Sequence, residues 1–101
     1  MKKYASFNTL WKHAKNYVAF STYDYVASYN CFMWALEENA KNVHGEDFDA
    51  NKFDHFVQCY RFNAQQEQIN YNRTIKQLCL SAYESYTADY SEYENELAAI
   101  L

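Results

Sequence analysis

The chain has no proline and one glycine, Gly45. Tight turns and hairpins ordinarily draw on those two residues, so the sequence argues against an all-β fold. It argues for long helices joined by short polar corners. The clearest helix lies between Thr22 and Gly45. Its apolar residues Val26, Tyr29, Met33, Leu36, Ala40 and Val43 recur at steps of three and four, which places them on one stripe of an α-helix. Ser21 or Thr22 is positioned to cap it, with Asp24 in the first turn. Gly45 follows it, where a left-handed residue closes a helix at low cost. A helix of about 22 residues is about 33 Å long. The other segments are expected to pack around it.

Before it, Ser6 or Asn8 is placed to cap a first helix running to about Phe20. Its apolar face comprises Phe7, Leu10, Trp11, Ala14, Tyr17 and Val18. After it, the acidic run Glu46-Asp47-Phe48-Asp49 suits a helix start, because carboxylates accept free amides and meet the positive dipole end. Phe53, Phe56, Val57, Tyr60 and Ala64 continue that third helix. The pattern thins at Gln65–Gln68, with no helix breaker, and resumes at Tyr71, Ile75, Leu78, Cys79, Ala82 and Tyr86. The propensities favour one long helix through the polar patch over a corner near Asn70-Tyr71-Asn72. Tyr86, Tyr90, Tyr93, Leu97 and Ile100 form a last stripe. Ser91 to Glu94 has the form of a capping box, which makes a break near Asp89–Ser91 plausible.

The expectation is a single all-α domain over residues 1–101: a small bundle of three to four helices of unequal length, with a long second helix and a long or kinked C-terminal one. A core this thin hides only somewhat over about 60% of the unfolded surface. A homodimer that shares helices is therefore a reasonable expectation. Half the residues are apolar and a fifth are aromatic, so the chain is not a disordered one. The 11 tyrosines suit either a shallow core or an adhesive surface.

The three cysteines are odd in number, residues 1–20 hold no uninterrupted apolar run, and no apolar window is long enough to span a membrane. These features lead us to expect a cytoplasmic protein with reduced, mostly buried thiols.

Signatures of catalysis are missing. One glycine cannot build a phosphate-cradling loop or flank a nucleophilic serine. No Cys-x-x-Cys or Glu-x-x-His occurs. Asp47 to Asn51 imitates half a calcium loop, but Lys52 stands where glycine is needed and Gln58 where a bidentate glutamate is needed. His55 and Cys59 lie one helical turn apart, with His44 a possible third ligand, yet such a pair is weak grounds for a metal site. Neither a metal nor another cofactor is expected. An enzyme would in addition need a cleft with convergent polar groups.

Charge is the most informative remaining feature. Residues 1–45 carry five lysines against three acids, and residues 46–101 four basic residues against ten acids. Lys2, Lys3, Lys12 and Lys15, interleaved with Tyr4, Phe7 and Trp11, resemble a phosphate-binding patch. The net charge of −4 argues against direct nucleic-acid binding. From Ala82 onward there are five acids and no basic residue. On a helix, Asp89, Glu92 and Glu96 share a stripe beside Tyr90 and Tyr93, flanked by Glu84 and Glu94. Such a face offers a basic, nucleic-acid-binding surface something like a nucleic-acid strand. In size and charge the chain is similar to the small acidic proteins with which phages and mobile elements block host nucleases, such as anti-CRISPR and anti-restriction proteins. That likeness implies an inhibitor or regulator acting through protein contact, with Glu84, Asp89, Tyr90, Glu92, Tyr93, Glu94 and Glu96 as the partner-binding residues. The alternative is a structural or regulatory homo-oligomeric bundle whose acidic face is merely solvated.

Overall fold

A computed structural model describes the backbone of residues 3–21, 23–70 and 75–100, and the side chains within these except those of 63, 67–70 and 89–100. Four α-helices follow one another: α1 (Phe7–Lys15), α2 (Tyr25–His44), α3 (Ala50–Asn70) and α4 (Ile75–Ile100). A single 3-10 turn, Gly45–Asp47, links α2 to α3. The described residues contain no strand.

Helix α2 is the centre of the fold, packing against α1, α3 and α4. Of the six residues on its stripe, Tyr29, Met33, Leu36 and Ala40 are buried, and Val26 and Val43 at the two ends are half-buried. Cys31, Phe32 and Ala35 are buried as well, so the covered face is wider than one stripe. A helix with neighbours on three sides has few residues left for water.

The start of α2 differs from the sequence expectation. Asp24 is the cap itself: its backbone is extended and its carboxylate accepts the Ala27 N–H at 3.1 Å. Ser21 is engaged one step earlier. Its hydroxyl accepts the Tyr23 N–H at 3.2 Å, and its carbonyl accepts from the buried Ser28 hydroxyl. Thr22, the other expected cap, lies outside the described residues.

At the far end Gly45 has the expected positive φ of 57°, but its ψ of −125° is the mirror image of extended backbone, not left-handed helix. Essentially only glycine tolerates that region. A Cβ at Gly45 would meet nothing within 4 Å, so the cost of a side chain is conformational alone. Gly45→Ala is expected to lower stability by about 1–3 kcal/mol, measured by urea unfolding, without altering the fold.

Helix α1 is capped by Ser6, whose hydroxyl accepts the Thr9 N–H at 3.3 Å. It ends at Lys15, well short of Phe20. Residues 16–20 instead form tight turns, with Tyr17 N–H bonded to Ala14 O and Phe20 N–H to Tyr17 O. The reason is tertiary. Phe20 packs edge-on against Trp11 with ring centroids 5.5 Å apart. In a straight helix the nine steps from Trp11 to Phe20 would separate them by about 13.5 Å along the axis. The same turn leaves Val18, expected on the apolar face, fully exposed.

Helix α3 opens as the acidic run suggests: the Asp49 carboxylate accepts the Lys52 N–H at 3.0 Å. It passes unbroken through Gln65–Gln68 and ends at Asn70, and a separate helix begins at Ile75 and packs back on it. The favoured single long helix is therefore incorrect; the alternative, a corner near Asn70-Tyr71-Asn72, falls beyond Asn70 on residues outside the described ones. A helix spanning 50 to 100 would be about 75 Å long. Its two apolar faces could not then share one core, whereas Phe53 and Ala64 of α3 and Ile75, Leu78, Cys79 and Ala82 of α4 do share the core built on α2. Tyr71 lies outside the described residues. The break near Asp89–Ser91 does not occur, since α4 runs continuously to Ile100. Among the described residues no helix is long and apolar enough to cross a membrane.

Candidate functional site

Helix α4 carries every residue of the acidic stretch on one uninterrupted backbone. Glu84 is exposed on it. Asp89, Tyr90, Glu92, Tyr93, Glu94 and Glu96 lie in its C-terminal part, where their side chains fall outside the described residues. Continuous helical backbone sets Asp89, Glu92 and Glu96 at steps of three and four, which is one stripe of the helix. The tyrosine stripe begins in the core. Tyr86 is half-buried, with ring centroids 5.4 Å from Phe53 and 5.0 Å from Phe56. Burial raises its hydroxyl above the ordinary tyrosine pKa, and a hydrogen bond with Tyr4 acts the other way.

Next to Tyr86 the structure forms a cleft that no local sequence signal announces. It has a volume of about 490 Å³ and lies where the N-terminal segment, the end of α2, the start of α3 and the middle of α4 meet. Phe48, Phe53, Phe56 and Tyr86 form its aromatic lining, and Asp47, Asp49, Lys52 and Ser85 are its polar members. Tyr4 and His44 complete it. The Tyr4 hydroxyl and His44 Nε2 are 2.5 Å apart. The N-terminal segment is held there by two further bonds: Tyr83 donates to the Ala5 carbonyl at 2.7 Å, and the Ala5 N–H donates to Asn39 Oδ1 at 3.0 Å. Asp49 is committed to the cap of α3, which is the structural role of the false calcium loop.

The Cys59 thiol and His55 Nε2 lie 3.8 Å apart on the exposed face of α3. Their third candidate, His44, is engaged with Tyr4 in the cleft. Among the described residues no three His, Cys, Asp or Glu side chains are grouped to hold a metal ion. Cys31 and Cys79 are buried and Cys59 is exposed.

In the N-terminal basic patch, Lys3, Lys12 and Lys15 are exposed, but Phe7 and Trp11 between them pack inward. Trp11 is only 8% exposed, and Phe7 packs 5.3 Å from Phe32. They are unavailable to stack on bases. Lys2 lies outside the described residues.

A second surface feature was missed because its parts come from α1, the turn after it and α2. Trp34 is 50% exposed, with Tyr17 set edge-on at 5.7 Å. Beside them Glu38 accepts from the Tyr17 hydroxyl at 3.4 Å and faces His13 Nε2 at 3.4 Å. Compared with protein-family models, curated proteins and solved structures, the chain has no significant match.

Proposed function

We propose that the chain is a small, non-enzymatic protein of the cytoplasm that binds and inhibits or regulates a nucleic-acid-handling protein. Its contact surface is the acidic, tyrosine-bearing C-terminal part of α4. The observation that carries this reading is the unbroken helix from Ile75 to Ile100, which has no lysine or arginine after Lys76. Charges recurring about every turn, with no counter-charge on the same segment, give a continuous negative field. A basic groove is the natural complement of such a field, and tyrosines beside it supply apolar contact of the kind found at interfaces. An inhibitor of the anti-CRISPR or anti-restriction kind is the class this describes.

Capture from a lysate tests the reading. Tagged protein is expected to retain a nucleic-acid-handling protein at low salt and release it at high salt, because exposed charges are screened within about 8–10 Å at physiological ionic strength. Added nucleic acid should compete for the same partner. The second reading, a structural or regulatory homo-oligomer, is favoured by the apolar side chains of Trp34 and Phe62, which are 50% and 63% exposed. Recovery of the chain alone, at a fixed stoichiometry indifferent to salt, would select it.

A further inference from the structure

The cleft beside Tyr86 plays no part in the reading above, yet its chemistry is specific. The faces of aromatic rings carry negative potential and attract cations placed within about 6 Å of their centroids. Phe53 meets Phe48, Phe56 and Tyr86, and Phe56 meets Tyr86, at centroid distances of 5.0–6.2 Å, so several rings converge on one small volume. One of them already serves a cation from outside, since Lys41 Nζ sits 5.8 Å from the Phe48 centroid.

The surrounding charge has the matching sign. The cleft lies at the C-terminal end of α2, which is the negative end of that helix dipole. The start of α3, an end of opposite sign, is covered by the Asp49 carboxylate. Asp47 is exposed at the mouth. Lys52 is the one lysine or arginine in the lining, against two carboxylates, and the Lys41 that sits over Phe48 is itself paired with Glu37 at 3.5 Å. The volume of about 490 Å³ falls within the roughly 300–1,000 Å³ typical of sites that enclose a small organic group.

We infer that this cleft receives a cationic side chain, arginine or lysine, from the basic surface of the partner. The inference rests on the proposed function. It assigns the cation to a partner because the cleft and the acidic stretch are continuous: Ser85 and Tyr86 line the cleft, and Asp89 follows one turn later on the same helix. A protein lying along the acidic stripe passes the mouth of the cleft. An arginine seated among rings and carboxylates is the kind of anchor that dominates interface energetics.

The test uses the full chain and two probes, N-acetylarginine methylamide and its uncharged counterpart N-acetylcitrulline methylamide, followed by NMR of the aromatic ring signals at low salt. The arginine compound is expected to give saturable shifts at Phe53, Phe56 and Tyr86 and to bind at least about tenfold more tightly than the citrulline compound. Asp47→Lys, at an exposed position, should weaken arginine binding about threefold or more. Phe56→Leu keeps apolar volume but removes a ring face, and should weaken the arginine compound selectively. Helix content measured by circular dichroism must be unchanged in both variants. Equal binding of the two compounds, or no saturable shift at millimolar concentrations, overturns the inference.

Partner capture separates this outcome from the fate of the proposed function. A partner retained equally by wild type and Asp47→Lys, with no arginine binding, removes the cleft and leaves the acidic face. Arginine binding with no partner retained removes the partner as the source and leaves a site for a free guanidinium or amine.

Discussion

Phe32→Ala is expected to lower the unfolding free energy by about 3–5 kcal/mol, the usual cost of removing a buried aromatic side chain together with the cavity it leaves. Phe32 is 0% exposed. It lies on the face of α2 that receives α1, with ring centroids 5.3 Å from Phe7 and 6.4 Å from Trp11. Helix α1 has only nine residues, and a helix so short is unstable in water without packing. Its order therefore depends on this contact, and the substitution should loosen α1 as well as destabilise the whole. Small domains have only about 5–15 kcal/mol of stability, so the variant is expected to be marginal near 37 °C. Urea unfolding gives the number directly. Phe32→Leu retains most of the volume and should lose well under half as much. A loss below about 1 kcal/mol for the alanine variant would mean that Phe32 is not a core residue.

The second large effect is on alkaline stability. Tyr29 and Cys79 are both 0% exposed, and burial pushes each well above its ordinary pKa. The Tyr29 hydroxyl in addition donates to the Val57 carbonyl at 2.5 Å, a bond that only the neutral form can make. Burial also raises Tyr17, Cys31, Tyr83 and Tyr86.

These are groups whose protonated form is uncharged and whose deprotonated form burial disfavours. In the unfolded chain they ionise from about pH 8.5 for cysteine and about pH 10 for tyrosine, while in the folded chain Tyr29 and Cys79 stay protonated. The unfolded state then binds fewer protons, so stability is complete below about pH 8 and falls as pH rises. Each such group contributes a slope of about 1.4 kcal/mol per pH unit. Together the two predict a loss of about 5 kcal/mol between pH 8 and pH 11, enough to unfold a domain of ordinary stability. Urea midpoints measured across that range give the slope. Cys79→Val and Tyr29→Phe should each flatten it by about one group's share, over the range where that group ionises in the unfolded chain. Stability that stays level to pH 10.5 would contradict the burial of these two side chains.

Local signals account for much of the fold, and they fail where distant contacts intervene. Helix α2 was legible because periodicity, an acidic start and the single glycine all agree over Asp24 to Gly45. The end of α1 was not, because residues 16–20 are good enough helix formers, and only the contact between Phe20 and Trp11 turns them aside. The end of α3 at Asn70 was hidden for a related reason: no proline or glycine stands near it, and the need for two helices to reach one core is not a local property. The acidic stretch is written plainly in the sequence. The cleft is not, since its two tyrosines, Tyr4 and Tyr86, stand at opposite ends of the chain and meet only when α4 folds back across α2. Periodicity placed Tyr29 and Tyr86 on apolar stripes, and the one is buried and the other half-buried, whereas Tyr23 stands on no such stripe and is exposed.

Charge reversal on α4 tests the central claim most directly. Glu92→Lys combined with Glu96→Lys replaces two negative charges of the stripe with positive ones, at helical positions where lysine has good propensity. Partner affinity would be measured at low salt for the wild type and the double variant, with circular dichroism confirming equal helix content. The account predicts a loss of at least about tenfold in affinity, together with a weaker dependence on salt. Undiminished binding by a fully folded variant would contradict it, and would leave the acidic stretch as a solvated face of a homo-oligomeric bundle.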